Sequence, residues 1–238
     1  MPTLESVMAE LKSKGKESFK KTYVRHGIPA DRTFGVSNAD LKVIAKSIKG
    51  RQDLALELYA TGNMDAMYLA GIIADGAKMT PEQLQAWAET TYGMSLIAEH
   101  TVPWAVVDHP DAWSLATKWM QSDDEAIESV GWSTLSGLVT ITPDEKLPLK
   151  EIESILAHIV ANIDTAKNRV KAKMNGFVIS VGSYVSPLSQ KAKDVATNLG
   201  AVKVDVGDTA CKIPLALEYI AKVEKTGKAG QKRKTIRC

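Results

Sequence analysis

The 238-residue sequence predicts an all-α protein made of stacked helical repeats. Residues that start and stop helices recur from one end of the chain to the other, and apolar residues follow the 3.6-residue spacing of amphipathic helices. The alternation typical of strands is confined to Ala201–Val206, so we expect any strand to lie there. About ten to twelve short helices joined by short loops are expected.

Capping residues mark several helix starts. The clearest are Thr3, Ser37 or Asn38, Thr80 before Pro81, and Ser122 with Glu125 three residues later as a capping box. Later helices are expected over residues 149–163, 166–185, 189–199 and 209–223. Asp208 is predicted to cap the last of these helices.

A repeated glycine motif, which we call the internal echo, indicates the repeat type. Gly131-Trp132-Ser133 precedes Gly137, and 45 residues later Gly176-Phe177-Val178 precedes Gly182. Helix-pair repeats of the HEAT and armadillo type have periods of roughly 40 to 47 residues. Glycine inside a helix costs about 1 kcal/mol relative to alanine, so the paired glycines predict close helix-to-helix approach.

Composition excludes several classes of protein. Hydrophobic residues make up 45% of the chain, enough for a packed core, and no apolar run is long enough to cross a bilayer. The first residues do not resemble a signal peptide. The two cysteines, Cys211 and Cys238, predict a reduced, cytoplasmic setting, and we expect Cys211 to be a buried, inert thiol.

No motif indicates a cofactor or a metal. The sequence lacks the glycine-rich phosphate loops GxGxxG and GxxxxGK[ST] and the nucleophile motif GxSxG. The four histidines have no metal-ligand spacing. We therefore expect neither a cofactor nor a metal site.

Charge is sorted along the chain although the net charge is only +2. Between Glu82 and Asp164, fourteen acidic residues stand against three lysines, a net charge of −11, whereas the remainder carries +13. Such segregation bears on the choice of partners more than on the fold. We expect the basic ends, and not the acidic middle, to hold nucleic acid.

Two basic segments are candidates for binding DNA phosphates. We expect one repeat domain over residues 1–222 and a basic tail over 223–238. The candidate residues are Arg169, Lys171, Lys173, Lys212, Lys228, Lys232, Arg233, Lys234 and Arg237. Alternatively, the basic residues that begin the 166–185 helix face acids on neighbouring helices, and the tail is a solvated terminus. A protein partner also stays open, since the acidic middle could dock a basic protein.

The chain resembles the bacterial DNA alkylation repair family, the AlkD-like HEAT-repeat glycosylases. The resemblance lies in Phe34–Leu41, in Lys118-Trp119 leading to Ser122-Asp123, and in Gly176–Ile179. It implies a right-handed superhelical stack of HEAT-like repeats that grips duplex DNA. It also implies hydrolysis of the N-glycosidic bond of cationic N3- or N7-alkylated purines, with a carboxylate and aromatic rings as the main groups.

The family's catalytic residues are replaced in this sequence. Its Trp-x-x-x-Asp element aligns with residues 94–98, where neither residue type is present. The resemblance leaves Glu99 as the substitute carboxylate, with Tyr92, Trp132 and Phe177 as candidate rings. Whether the chain is an active hydrolase or a non-catalytic scaffold stays open at this stage.

Overall fold

A computed structural model describes residues 2–237, so Met1 and Cys238, the two ends of the predicted domains, lie outside the described residues. The described part contains thirteen α-helices and no strand, which confirms the all-α prediction and slightly exceeds the expected number of helices. The helices are α1 Leu4–Lys14, α2 Glu17–Arg25, α3 Asn38–Ser47, α4 Gln52–Ala60, α5 Met64–Ile73, α6 Pro81–Glu89, α7 Val102–Val106, α8 Ala112–Trp119, α9 Glu125–Ile141, α10 Leu149–Asn162, α11 Asn168–Tyr184, α12 Ser189–Leu199 and α13 Ala216–Lys225.

The capping predictions are confirmed for three helices and wrong for one. Thr3, Ser37 and Thr80 each accept a backbone N–H in the first turn of α1, α3 and α6. The predicted cap of α9, Ser122, lies outside that helix. Asp124 caps it instead, because its carboxylate accepts the N–H groups of both N2 and N3.

The last helix begins later than predicted. Residues 209–215 are irregular, and α13 starts at Ala216, so Asp208 does not cap it. Pro214 explains the difference, since proline lacks an N–H and disfavours helical geometry in the residue before it. The domain boundary expected at residue 222 falls inside α13.

The chain divides into two compact units. The first comprises the described residues up to Ala112, with Gly207–Thr209 and Arg237. The second comprises Trp113–Val206 and Ala210–Ile236.

A buried carboxylate organises the first unit. Asp65, at the start of α5, is fully buried and accepts hydrogen bonds from the Thr33 hydroxyl and from the backbone N–H groups of residues 34–36. These bonds fix the loop that leads into α3. The Tyr23 hydroxyl donates to the last carbonyl of this loop at 2.8 Å. Burial, and secondarily the charge of Asp65, raises the pKa of Tyr23 to about 12.

Helix α11 is the central element of the second unit, with α9, α12 and α13 packed against it. The glycines of the internal echo differ in their surroundings. A Cβ on Gly131 would collide with the backbone at Met120, and one on Gly182 would collide with Ile220. A Cβ on Gly176 would meet nothing within 4 Å. Close approach therefore explains Gly131 and Gly182 but not Gly176.

We expect Gly131→Ala and Gly176→Ala to change stability in opposite directions. Overpacking against the backbone at Met120 should lower the free energy of unfolding of Gly131→Ala by about 1–3 kcal/mol. Gly176→Ala should raise it by up to about 1 kcal/mol, because alanine favours an open helix position. Chemical denaturation followed by circular dichroism measures both. Equal shifts of the same sign would contradict this packing.

Candidate nucleic-acid interface

The first turn of α11 is capped by a side chain from another helix. Its N-cap residue, Lys167, makes no side-chain capping bond, and a positive charge there opposes the helix dipole. The Glu125 carboxylate on α9 accepts the backbone N–H of Arg169 at 2.8 Å. This bond satisfies one of the unpaired donors of the helix start and places negative charge where the dipole favours it.

A second acid of α9 neutralises Lys167. The ammonium group of Lys167 lies 2.6 Å from Glu128 Oε2 and also donates to the Ser122 carbonyl oxygen at 3.2 Å. The hydrogen bond to the Glu128 carboxylate raises the pKa of Lys167. The interpretation that these basic residues face neighbouring acids is thus confirmed for Lys167. The predicted DNA-binding residues Arg169, Lys171 and Lys173 follow it on α11, each partly exposed.

Residues 200–215 form an irregular loop, and two asparagines hold its second-unit parts, residues 200–206 and 210–215, against α11. The side-chain amide of Asn168 exchanges two hydrogen bonds with the backbone of Asp205, each 2.7 Å long. The Asn175 amide donates to the Pro214 carbonyl oxygen at 3.0 Å. This 200–215 loop is therefore anchored near the start and the middle of α11.

The 200–215 loop brings two more lysines to the same helix. Lys203 and the predicted residue Lys212 are both exposed. The neighbouring Cys211 is exposed as well, which corrects the prediction of a buried thiol. The reason is that residues 209–215 form a loop rather than the first turns of a packed helix.

The basic C-terminal segment, residues 226–236, is attached to the second unit by its backbone. The Gly230 N–H donates to the Ser183 carbonyl oxygen at 2.9 Å, and the Arg233 N–H donates to the Thr140 carbonyl oxygen at 3.0 Å. These bonds hold the segment at the C-terminal ends of α11 and α9. The predicted cations Lys228, Arg233 and Lys234 are exposed on it.

Two predicted DNA contacts are engaged within the protein. The Lys232 ammonium lies 2.7 Å from Asp144 Oδ1 and donates to a backbone carbonyl of α9 at 2.9 Å. In the first unit, the Arg237 guanidinium lies 2.6 Å from Asp108 and donates to the Ala74 carbonyl oxygen at 3.0 Å. Both cations already have acceptors that a phosphate would have to replace.

The candidate rings Trp132 and Phe177 belong to the core of the second unit. Both are fully buried, and their centroids lie 5.9 Å apart in an edge-to-face arrangement. Neither ring has a face open to a nucleoside in this structure.

The other two catalytic candidates lie in the first unit. Tyr92 is 45% exposed, has a left-handed backbone φ of 52°, and carries the Arg32 guanidinium 4.1 Å above its ring. Glu99 is only 9% exposed and lies in a π-helical turn, Ile97–Thr101, that runs into α7. Turns of this type occur often at functional sites.

The sequence of this chain matches a family model described as DNA alkylation repair enzyme over residues 7–195. The chain belongs to this family. The match ends before the 200–215 loop, which carries two lysines and two aspartates, and before the basic C-terminal segment, so the family model describes neither of them.

Relatives of this family member cover nearly its whole length. Two uncharacterized proteins, Lmo0209 of Listeria monocytogenes and Lin0241 of Listeria innocua, are each 30% identical to it over 233 residues, or 93% of this chain and 97% of the relative. A solved structure superposes with a TM-score of 0.92 at 36% identity, covering all of both chains. It is described as belonging to a new family related to the HEAT-like repeat DNA glycosylases with affinity for branched DNA structures. The predicted HEAT-like repeat fold is thereby confirmed.

Among residues 2–237, no three or more His, Cys, Asp or Glu side chains are grouped as metal ligands. No helix of that part of the chain is long and apolar enough to span a membrane.

The sequence did not indicate the contacts that shape this basic surface. Asn168 and its partner Asp205 are 37 residues apart, and no local pattern links them. Glu125 was expected to cap its own helix but caps α11 instead. Lys203 was missed because it lies in the one segment that alternates like a strand.

Proposed function

We propose that this member of the DNA alkylation repair family binds branched DNA through the cations of α11 and of the 200–215 loop. The observation that carries the proposal is that some cations around α11 are paired with acids while others are exposed to solvent. Glu125 of α9 accepts one N–H of the helix start and Glu128 pairs with Lys167, whereas Lys171 and the loop cations Lys203 and Lys212 keep contact with solvent. Lysines placed this way can neutralise phosphates and release their counterions.

Internal pairing also reduces the repulsion expected from the acidic middle. Glu125 and Glu128 bind the start of α11, Asp144 pairs with a lysine of the C-terminal segment, and Glu151 accepts from the Trp113 indole at 2.7 Å. Carboxylates engaged in this way are poorer contacts for a basic protein partner. The pairing therefore favours DNA binding over the scaffold alternative.

The similar solved structure supports branched DNA as the preferred form. It is 36% identical across the whole chain and is described as having affinity for branched structures. Where duplex arms converge, phosphates from more than one helix lie close together. Lysines on one surface can therefore displace more counterions there than on a single duplex.

The prediction compares the double variant Lys171→Gln/Lys212→Gln with the wild type on a four-way junction and on a linear duplex of the same sequence. We expect the wild type to prefer the junction and the variant to bind it several-fold more weakly. Loss of about two phosphate contacts should flatten the slope of log K against log salt by about 1 to 2. Fluorescence anisotropy across a salt series measures both quantities.

The matched control for this variant is Lys146→Gln/Lys150→Gln, which removes the same charge from two exposed lysines of the acidic middle. This control should bind the junction as the wild type does. An equal loss in both double variants would show that only net charge matters and would contradict the proposed surface.

We further propose that binding does not depend on excision of alkylated bases. The buried state of Trp132 and Phe177 and the low exposure of Glu99 support this part of the proposal. We expect DNA carrying 7-methylguanine to release no more base with the protein than in a blank, while junction binding is retained. Release that Glu99→Gln abolishes would contradict this and would assign the catalytic carboxylate to Glu99.

A further inference from the structure

A pocket of about 360 Å³ opens between the second half of α13 and the C-terminal segment. This volume is within the usual range for small-molecule sites. Two tyrosines and several cations line it, and we call it the tyrosine–lysine pocket. Its lining includes Tyr184, Tyr219, Lys222, Lys228, Lys232 and Arg233.

The wall of the tyrosine–lysine pocket is built by backbone hydrogen bonds rather than by a loose terminus. Besides the bonds of Gly230 and Arg233 to α11 and α9, the Gln231 N–H donates to the Lys228 carbonyl oxygen at 3.1 Å. The Gln231 side-chain amide also donates to the Gly227 carbonyl oxygen at 2.9 Å. The two Gln231 bonds fix the turn that carries Lys228, and the bond to α9 fixes the backbone of Arg233.

The pocket keeps a net positive charge. Lys232 is neutralised by Asp144, but Lys228 and Arg233 are exposed. The only acid between residues 222 and 238, Glu224, pairs with Lys193 of α12 at 2.9 Å. No carboxylate lines the pocket itself.

The aromatic component is open to a ligand. Tyr219 lies on α13 and is 46% exposed, so its ring is accessible to a ligand. Tyr184, at the end of α11, lines the same pocket and is partly exposed. Aromatic rings beside cations match a ligand with a flat base and a phosphate, because bases stack on such rings and phosphates attract such cations.

We propose that the tyrosine–lysine pocket binds a nucleotide, with the base on Tyr219 and the phosphate at Lys228 and Arg233. The inference rests on the proposed function in one respect: the expected source is an unpaired nucleotide at a DNA branch point. A free nucleotide offers the same chemistry, so the test distinguishes the two sources.

The experiment uses 2-aminopurine, a fluorescent base that is quenched when it stacks. One junction carries it as an unpaired nucleotide at the branch point, and a second carries it within a paired arm. We expect the protein to quench the unpaired probe and leave the paired probe unchanged. Tyr219→Ala should weaken the quenching titration about tenfold, within the range for loss of one base–aromatic stack.

Two further variants separate the ring from the fold. Tyr219→Phe keeps the ring and should retain quenching, and Phe19→Ala removes another exposed ring, 37% exposed in the first unit, and should also retain it. Lys228→Gln tests the phosphate contact. It should weaken binding of 2-aminopurine deoxyribonucleoside monophosphate and leave the weaker binding of the nucleoside unchanged.

Each outcome bears on the pocket and on the proposed function separately. Quenching of the free monophosphate at the same protein concentration as the junction would support the pocket and identify free nucleotides as its ligand. Absence of quenching while anisotropy shows junction binding would overturn the pocket and leave the proposed function standing. Quenching of the monophosphate without junction binding would support the pocket and overturn the proposed function.

Discussion

The packing of α11 against α9 is the constraint on which the second unit depends. The start of α11 carries positive charge at the end where the helix dipole disfavours it, a cost of a few tenths of a kcal/mol per charge. Glu125 and Glu128 of α9 remove this conflict by accepting the Arg169 N–H and the Lys167 ammonium. In this position the asparagines of α11 bind the backbone of the 200–215 loop, and the Ser183 carbonyl oxygen accepts an N–H of the C-terminal segment.

The fold pairs charges that are separated along the sequence. In sequence, the acidic middle and the basic ends are separate blocks. In the second unit they meet as local pairs, including Lys167 with Glu128 and Lys232 with Asp144. The acids therefore fix basic segments in place, while Lys171, Lys228 and Arg233 on those segments keep contact with solvent.

The sequence predicted features that depend on nearby residues. The caps at Thr3, Ser37 and Thr80 bind N–H groups three residues away, and these local rules were sufficient. At α9 both Ser122 and Asp124 could cap the helix by sequence. Asp124 is the cap in the structure, because its charged carboxylate is the stronger acceptor and lies next to the helix. In α13 the apolar spacing was continued across Pro214, which a helix interior does not accommodate.

Contacts between distant residues could not be predicted from the sequence. Glu125 and Arg169 are 44 residues apart, and the bond between them depends on how two helices pack. The same packing buries Trp132 and Phe177. The family resemblance implied that these rings hold a cationic nucleoside, which needs an open ring face. Hence the HEAT-like fold was predictable from periodicity and resemblance, whereas the basic surface depends on contacts that only the folded structure shows.

Hydrogen–deuterium exchange with and without a four-way junction tests most directly whether α11 and its loop form the DNA-binding surface. The account predicts slower amide exchange at the start of α11, residues 167–171, and in the 200–215 loop when the junction is bound. Protection confined to the acidic residues 122–164 or to the first unit would contradict it.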